Sequence, residues 1–134
     1  MKKLLIMCFV LVQFTIFSQN WTAYYSDSKI QIDFAKVNYF DDKHGINHKR
    51  IVFQYTNKTN QELEINFSRI HVYDQQALTS SPEREFSIIL AANETSSYSE
   101  GNKKDKTYYI FKKDDNNFIH KKLTSFDLVN ITSK

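Results

Sequence analysis

The sequence has very little cysteine, glycine and proline. Its 134 residues contain one cysteine, Cys8, together with two glycines and one proline. Cys8 lies inside the N-terminal apolar segment, so a chain that has lost this segment has no thiol, which excludes thiol catalysis and disulfide bonds. The two glycines are far apart, which excludes a glycine-rich phosphate-binding loop. There is also no internal repeat and no linker rich in proline, glycine or serine, so the sequence predicts a single domain.

The N-terminus has the layout of a secretory signal peptide. A positively charged start precedes an apolar run from Leu4 to Phe17, which is too short to span a bilayer. The small residue Ser18 places the cleavage site directly after it. We therefore predict a helical signal peptide at residues 1–18, a mature domain at residues 19–134, export to the periplasm or the cell exterior, and no membrane insertion after cleavage. An uncleaved anchor is the alternative, although no basic stop-transfer cluster follows the apolar run.

The charge of the chain is nearly balanced once the signal peptide is removed. Lys2 and Lys3 belong to the signal peptide, which leaves 16 of the 18 basic residues against 15 acidic ones. This balance is not the footprint of a nucleic-acid-binding protein, so no nucleic-acid partner is predicted. Residues 19–100 hold 8 basic and 11 acidic residues, whereas residues 101–134 hold 8 and 4. A solvated lysine-rich face explains the basic C-terminal third, and a surface for an acidic partner is the alternative.

Apolar and polar residues alternate with a period of two along the mature chain, and helical periodicity is almost absent. The first such run, residues 30–39, has a slip of register after Phe34 that predicts a β-bulge. Residues 51–55 and 63–67 alternate on either side of a turn at residues 57–60. We expect these two runs to pair as a hairpin.

Further runs predict the remaining strands and one helical turn. The extended segments are residues 68–73, 86–90, 96–99, 108–111 and 123–131, and residues 118–123 are expected to form a single turn of helix. About seven short strands at this spacing predict an all-β fold, an antiparallel immunoglobulin-like sandwich of two sheets. A small β-barrel is the alternative.

Several short motifs occur in a characteristic order along the mature chain. They are Trp21 with Tyr25, Lys29 to Phe34, Tyr55 to Thr59, Val72 to Asp74, Leu90 to Thr95, Ser99 to Gly101, and Leu123 to Leu128. This order resembles that of a group of small uncharacterised exported proteins from Bacteroidota-type bacteria. Members of the group tend to have cysteines near the positions of Ala77 and Lys103, and their joint absence here fits loss of one disulfide as a unit. The resemblance implies a sandwich fold and export, and it implies no activity.

The polar loop from Asp41 to His48 is the candidate for a metal site. Asp41, Asp42, His44 and His48 supply the carboxylate and imidazole donors that zinc and similar metals use. Two histidines four residues apart share a face on a helix, but this spacing brings no such benefit on a loop or a strand. A solvated polar loop is therefore the competing interpretation, and no cofactor is predicted.

The residue types that perform catalysis do not form a recognisable motif. The sequence has no nucleophile-elbow signature of a serine hydrolase. His71 and His120 are expected to be packed or surface histidines, and the pair Glu62 and Glu64 is explained by two neighbouring positions on the polar face of a strand. We predict no catalytic residue and expect that the protein is not an enzyme.

Aromatic residues are abundant and offer a possible ligand platform. If several rings were exposed together, they could bind a sugar or a peptide. The competing interpretation is that phenylalanines fill the core while tyrosines surround its edge. The candidates for ligand binding are Trp21, Tyr24, Tyr25, Tyr98, Tyr108 and Tyr109.

Two main hypotheses of function follow from these observations. The first is a non-enzymatic binding or interaction module whose partner is a protein or glycan of the cell envelope. The second is a periplasmic inhibitor or immunity-type protein that blocks an exported enzyme or toxin, through its basic C-terminal third. A hydrolase of unrecognised type is a third.

Overall fold

The computed structural model describes residues 20–74, 83–116 and 121–134, which form eight β-strands. The predicted signal peptide and residues 118–120 of the predicted helical turn lie outside the described residues, while residues 121 and 122 are not helical and Leu123 begins a strand. Within these ranges, no helix is long and apolar enough to cross a membrane. The strands are β1 Thr22–Ser26, β2 Ile30–Asp41, β3 Ile46–Asn57, β4 Leu63–Tyr73, β5 Glu83–Leu90, β6 Thr95–Ser97, β7 Tyr109–Asp114 and β8 Leu123–Ser133.

The strands form two antiparallel sheets. In the five-stranded sheet the order is β1, β2, β3, and both β6 and β7 pair with the far edge of β3. In the three-stranded sheet β4 lies between β5 and β8. The prediction of an all-β, antiparallel two-sheet sandwich is confirmed, with eight strands in place of about seven.

The core lies between the two sheets, and the alternating pattern identifies most of it. Ile51 and Phe53 of β3 and Leu63 and Ile65 of β4 are buried, as predicted. Burial of one such side chain contributes about 1.5–3 kcal/mol, so a core of this size stabilises the domain without covalent links. The buried apolar cluster also includes Ile30, Ile32, Tyr55, Phe67, Phe86, Leu90, Tyr108, Ile110 and Leu128.

The predicted hairpin between residues 51–55 and 63–67 is wrong. These runs belong to β3 and β4, which lie in different sheets and face each other across the core. The chain crosses from one sheet to the other at residues 58–62. The alternating pattern identifies which face of each strand is buried. It does not identify the neighbours of a strand, because two strands paired in one sheet and two strands facing each other across the core have the same pattern.

The predicted bulge in the first run is also wrong. β2 pairs with β3 without interruption along its whole length, and the irregularity lies in β1, between Ala23 and Tyr25. The slip of register in the sequence pattern has another cause, because β2 has buried apolar side chains on both of its faces. Ile30 and Ile32 face the core, whereas Tyr39 is buried on the opposite, outer face of the sheet.

The polar loop between the first two long strands is shorter than predicted. β2 continues to Asp41, a 3-10 turn follows at Asp42–His44, and β3 begins at Ile46. Gly45 closes the turn with a φ of 64°, a left-handed conformation that glycine adopts without strain. His48 therefore lies on a strand and not in the loop.

Candidate functional site

Three of the four metal candidates lie at the turn between β2 and β3. Asp41 Oδ1 accepts a hydrogen bond from the His44 backbone nitrogen at 3.3 Å, and Asp41 Oδ2 lies 2.9 Å from His44 Nδ1. The hydrogen bond from the His44 side chain lowers the pKa of Asp41. The Asp41 carboxylate thus caps the turn, which is a common structural use of aspartate at such positions.

The fourth candidate, His48, faces the outer side of the five-stranded sheet. Its ring stacks on Tyr39 with centroids 4.8 Å apart, and its Nε2 accepts a hydrogen bond of 2.8 Å from Arg50 Nε. That bond occupies the lone pair with which a histidine binds a metal. In residues 20–74, 83–116 and 121–134, no group of three or more His, Cys, Asp or Glu side chains is placed to hold a metal ion. The four candidates do not converge on one point.

Protonation of His48 is expected to destabilise the fold. The pKa of His48 is lowered below its usual value of 6.5, mainly by burial and secondly by the Arg50 charge. The unfolded chain therefore takes up this proton at a higher pH than the folded chain. The stability that neutral His48 contributes is present above pH 6.5 and is lost as the pH falls through the lowered pKa.

This effect can be measured by thermal unfolding at a series of pH values. Below the ordinary histidine pKa, the unfolding midpoint should fall more steeply in the wild type than in a His48→Gln variant, because glutamine still accepts a hydrogen bond from Arg50. Lys43→Gln is the control, because Lys43 is exposed in the turn before β3, and this variant should keep the wild-type pH dependence. Equal slopes for the wild type and His48→Gln would contradict the assignment.

Two of the aromatic ligand candidates, Tyr24 and Tyr25, lie on β1 and pack against the core. The Tyr24 hydroxyl donates a hydrogen bond to Asp127 and accepts one of 2.8 Å from the Leu128 backbone nitrogen. The pKa of Tyr24 is raised to about 12, mainly by burial and secondly by the hydrogen bond to Asp127. The Tyr25 hydroxyl donates to Asp27 at 2.9 Å. Both hydroxyls therefore have hydrogen-bond partners, and those of Tyr24 connect β1 to β8.

The other aromatic candidates lie elsewhere. Trp21 is half-buried directly before β1. Tyr108 is buried in the core, while the Tyr98 hydroxyl and the Tyr109 ring contact the guanidinium of Arg50. The six candidates are thus distributed over separate places, and the structure does not bring them together as one exposed surface.

Arg50 is a buried cation that the sequence analysis did not single out. It is 5% exposed, and its guanidinium lies 3.8 Å and 3.7 Å from the ring centroids of Tyr39 and Tyr109. Its Nη1 also donates a hydrogen bond to the Lys103 carbonyl oxygen. Desolvated cation–π contacts contribute up to about 2 kcal/mol each. Arg50 therefore fixes the segment between β6 and β7 on the outer face of the five-stranded sheet.

A cleft opens between the two sheets where β2 extends beyond the part that pairs with β1. Its volume is about 260 Å³. Strands of both sheets line it, with an apolar wall and two lysines. We call it the lysine cleft, and its principal lining residues are Phe34 and Lys36 of β2, Ile51 of β3, Lys112 of β7, and Leu123 and Phe126 of β8.

The lysine cleft has an excess of positive charge. Lys112 is half-buried, and its pKa is lowered. The largest cause is burial, and the second is the charge of the nearby Lys36 ammonium. The neighbouring Lys49 and Lys113 share one carboxylate, with each Nζ 3.8 Å from Asp115 Oδ1. Neither Lys36 nor Lys112 has a carboxylate partner among the described residues. Lys36 is exposed, so water screens part of the repulsion between the two ammonium groups, and an anionic ligand near both lysines would relieve the rest.

Comparison of the chain with models of known protein families, with curated proteins and with solved structures finds no match. The resemblance to exported proteins of Bacteroidota-type bacteria therefore stays a prediction.

Proposed function

We propose that the protein is an exported, non-enzymatic binding module that takes its ligand in the lysine cleft. The observation that supports this proposal is the composition of the cleft, in which apolar walls from both sheets meet two ammonium groups without a described counter-ion. Concave sites that are mostly apolar and contain a few polar groups are the usual form of ligand pockets. The rigid strands on either side hold these groups in place.

The chemistry of the lining supports binding over catalysis. Its polar side chains are the ammonium groups of Lys36 and Lys112 and the hydroxyls of Thr124 and Ser125. Among the described lining residues there is no carboxylate or imidazole, the groups that most often transfer protons in active sites. The signal peptide predicted from the sequence supports the exported location. The partner would then be a molecule of the cell envelope or the exterior.

The proposal is tested by affinity capture from envelope extract. The full chain, expressed with its leader and purified through a C-terminal tag, is compared with a Lys36→Met/Lys112→Met variant. We expect a bound species that the wild type retains and the double variant loses, and an N-terminus at Gln19 by mass spectrometry. Lys29→Met is the matched control and should retain the species, because Lys29 is exposed in the turn between β1 and β2. Equal retention by all three proteins would contradict a role for the cleft.

A second candidate function, the inhibitor or immunity-type protein, is supported by the tip of the β2–β3 hairpin. Phe40 and Ile46 flank the turn there and are 59% and 38% exposed. Exposed apolar residues on a hairpin tip are suited to the recessed site of an enzyme. A single stoichiometric enzyme partner that a Phe40→Ser/Ile46→Ser variant loses in the same capture, and the cleft variant retains, would favour this function over the first.

A further inference from the structure

The two lysines of the cleft select the charge of a ligand. Lys36 and Lys112 lie at the cleft from different strands, and the next two lysines, Lys49 and Lys113, already share Asp115. A cationic ligand would add to this repulsion, and a neutral ligand would leave the repulsion between the two ammonium groups unchanged. An anionic group between them would accept charge-assisted hydrogen bonds, which contribute about 1.5–3 kcal/mol each.

The rest of the cleft is mostly apolar, and this surface determines what the anionic group is attached to. Phe34 and Phe126 lie with ring centroids 5.6 Å apart, and Ile51 and Leu123 continue the wall. A small inorganic anion would leave this wall in contact with water. An apolar body would cover it and gain about 25 cal/mol for each Å² removed from water.

We propose that the lysine cleft binds an amphipathic anion, with a carboxylate, sulfonate or phosphate headgroup between Lys36 and Lys112 and an apolar body against Phe34, Ile51 and Phe126. This inference rests on the proposed function, because it names the class of ligand for the same cleft. The volume of about 260 Å³ accommodates a ligand of up to about three aromatic rings or a short acyl chain.

A pair of fluorescent probes that differ only in charge tests the inference. 8-Anilinonaphthalene-1-sulfonate and N-phenyl-1-naphthylamine have the same aromatic body, and only the first has a sulfonate. We expect the purified full-chain protein to bind the sulfonate with a Kd at least about tenfold lower than that of the neutral probe. Lys36→Met/Lys112→Met should remove this preference while neutral-probe binding remains.

The controls separate failure of the inference from failure of the proposed function. Lys29→Met should keep the wild-type preference, because Lys29 lies about 23 Å from Lys36 along the strand. Thermal unfolding confirms that each variant is folded. Equal binding of both probes by the wild type, or an unchanged preference in the double variant, overturns the anionic headgroup and leaves a binding module. Binding of neither probe overturns the amphipathic ligand class, and the capture experiment then decides the proposed function.

The anionic headgroup could belong to a free amphiphile or to a membrane lipid. Displacement of the bound sulfonate probe by competitors distinguishes these two sources. Displacement by decanoate but not by phosphatidylglycerol vesicles identifies a free amphiphile. Displacement by phosphatidylglycerol vesicles and not by phosphatidylcholine vesicles identifies a lipid headgroup. Either result supports the inference, and displacement by neither competitor contradicts it.

Discussion

Replacement of Asn57 by alanine is expected to lower the free energy of unfolding by about 3 kcal/mol. Asn57 is 1% exposed, and its amide nitrogen donates to the carbonyl oxygens of Gln61 at 2.7 Å and Ala91 at 3.0 Å. Its Oδ1 accepts from the Thr59 backbone nitrogen at 2.9 Å and from the Thr59 hydroxyl at 2.7 Å. These bonds join the crossover between the two sheets to the turn after β5, and alanine would leave several buried groups without partners.

The measurement is urea-induced unfolding followed by far-ultraviolet circular dichroism. Asn60→Ala is the matched control, since Asn60 lies in the same turn and is exposed. This control should change the free energy of unfolding by less than about 0.5 kcal/mol. A similarly small change for Asn57→Ala would show that the hydrogen bonds of Asn57 do not hold the crossover.

Much of the fold could be predicted from the sequence, because burial on one face imposes a period of two on each strand. The neighbours of each strand could not be predicted in the same way. The turn at residues 57–60 has the composition of a hairpin turn, yet the side chain of Asn57 bonds to β5 and its following turn, 33 or 34 residues later in the chain. Such a contact has no local signal, so the crossover between sheets looks like a hairpin in the sequence.

The sequence pattern indicates one of the two lysines of the lysine cleft. Lys36 occupies the next inward position after Ile32 and Phe34, so unbroken alternation would place a lysine at the core face of β2. The interpretation of a slip after Phe34 hides this position. Lys112 has no comparable signal, because it is the extra residue where the pairing of β7 with β3 is irregular, between Phe111 and Lys113. The meeting of the two lysines therefore depends on tertiary structure.

Replacement of Arg50 by methionine is expected to lower the free energy of unfolding by about 3 kcal/mol. Methionine keeps an unbranched apolar side chain, but it has no donor for His48 Nε2 or for the Lys103 carbonyl oxygen. It also loses both cation–π contacts, with Tyr39 and Tyr109. Urea-induced unfolding measures the loss of stability. Amide hydrogen exchange should rise most in the segment between β6 and β7, because Arg50 joins that segment to the sheet.

Two further variants separate the contribution of the guanidinium from that of a positive charge. Arg50→Lys keeps the charge, but an ammonium group cannot lie flat between two rings while it donates to His48 and Lys103, so most of the destabilisation should remain. Lys104→Met is the matched control because Lys104 is exposed in the same segment. It should leave both stability and hydrogen exchange unchanged. If Arg50→Lys were as stable as the wild type, charge alone would hold the segment, and the stacked geometry would not contribute.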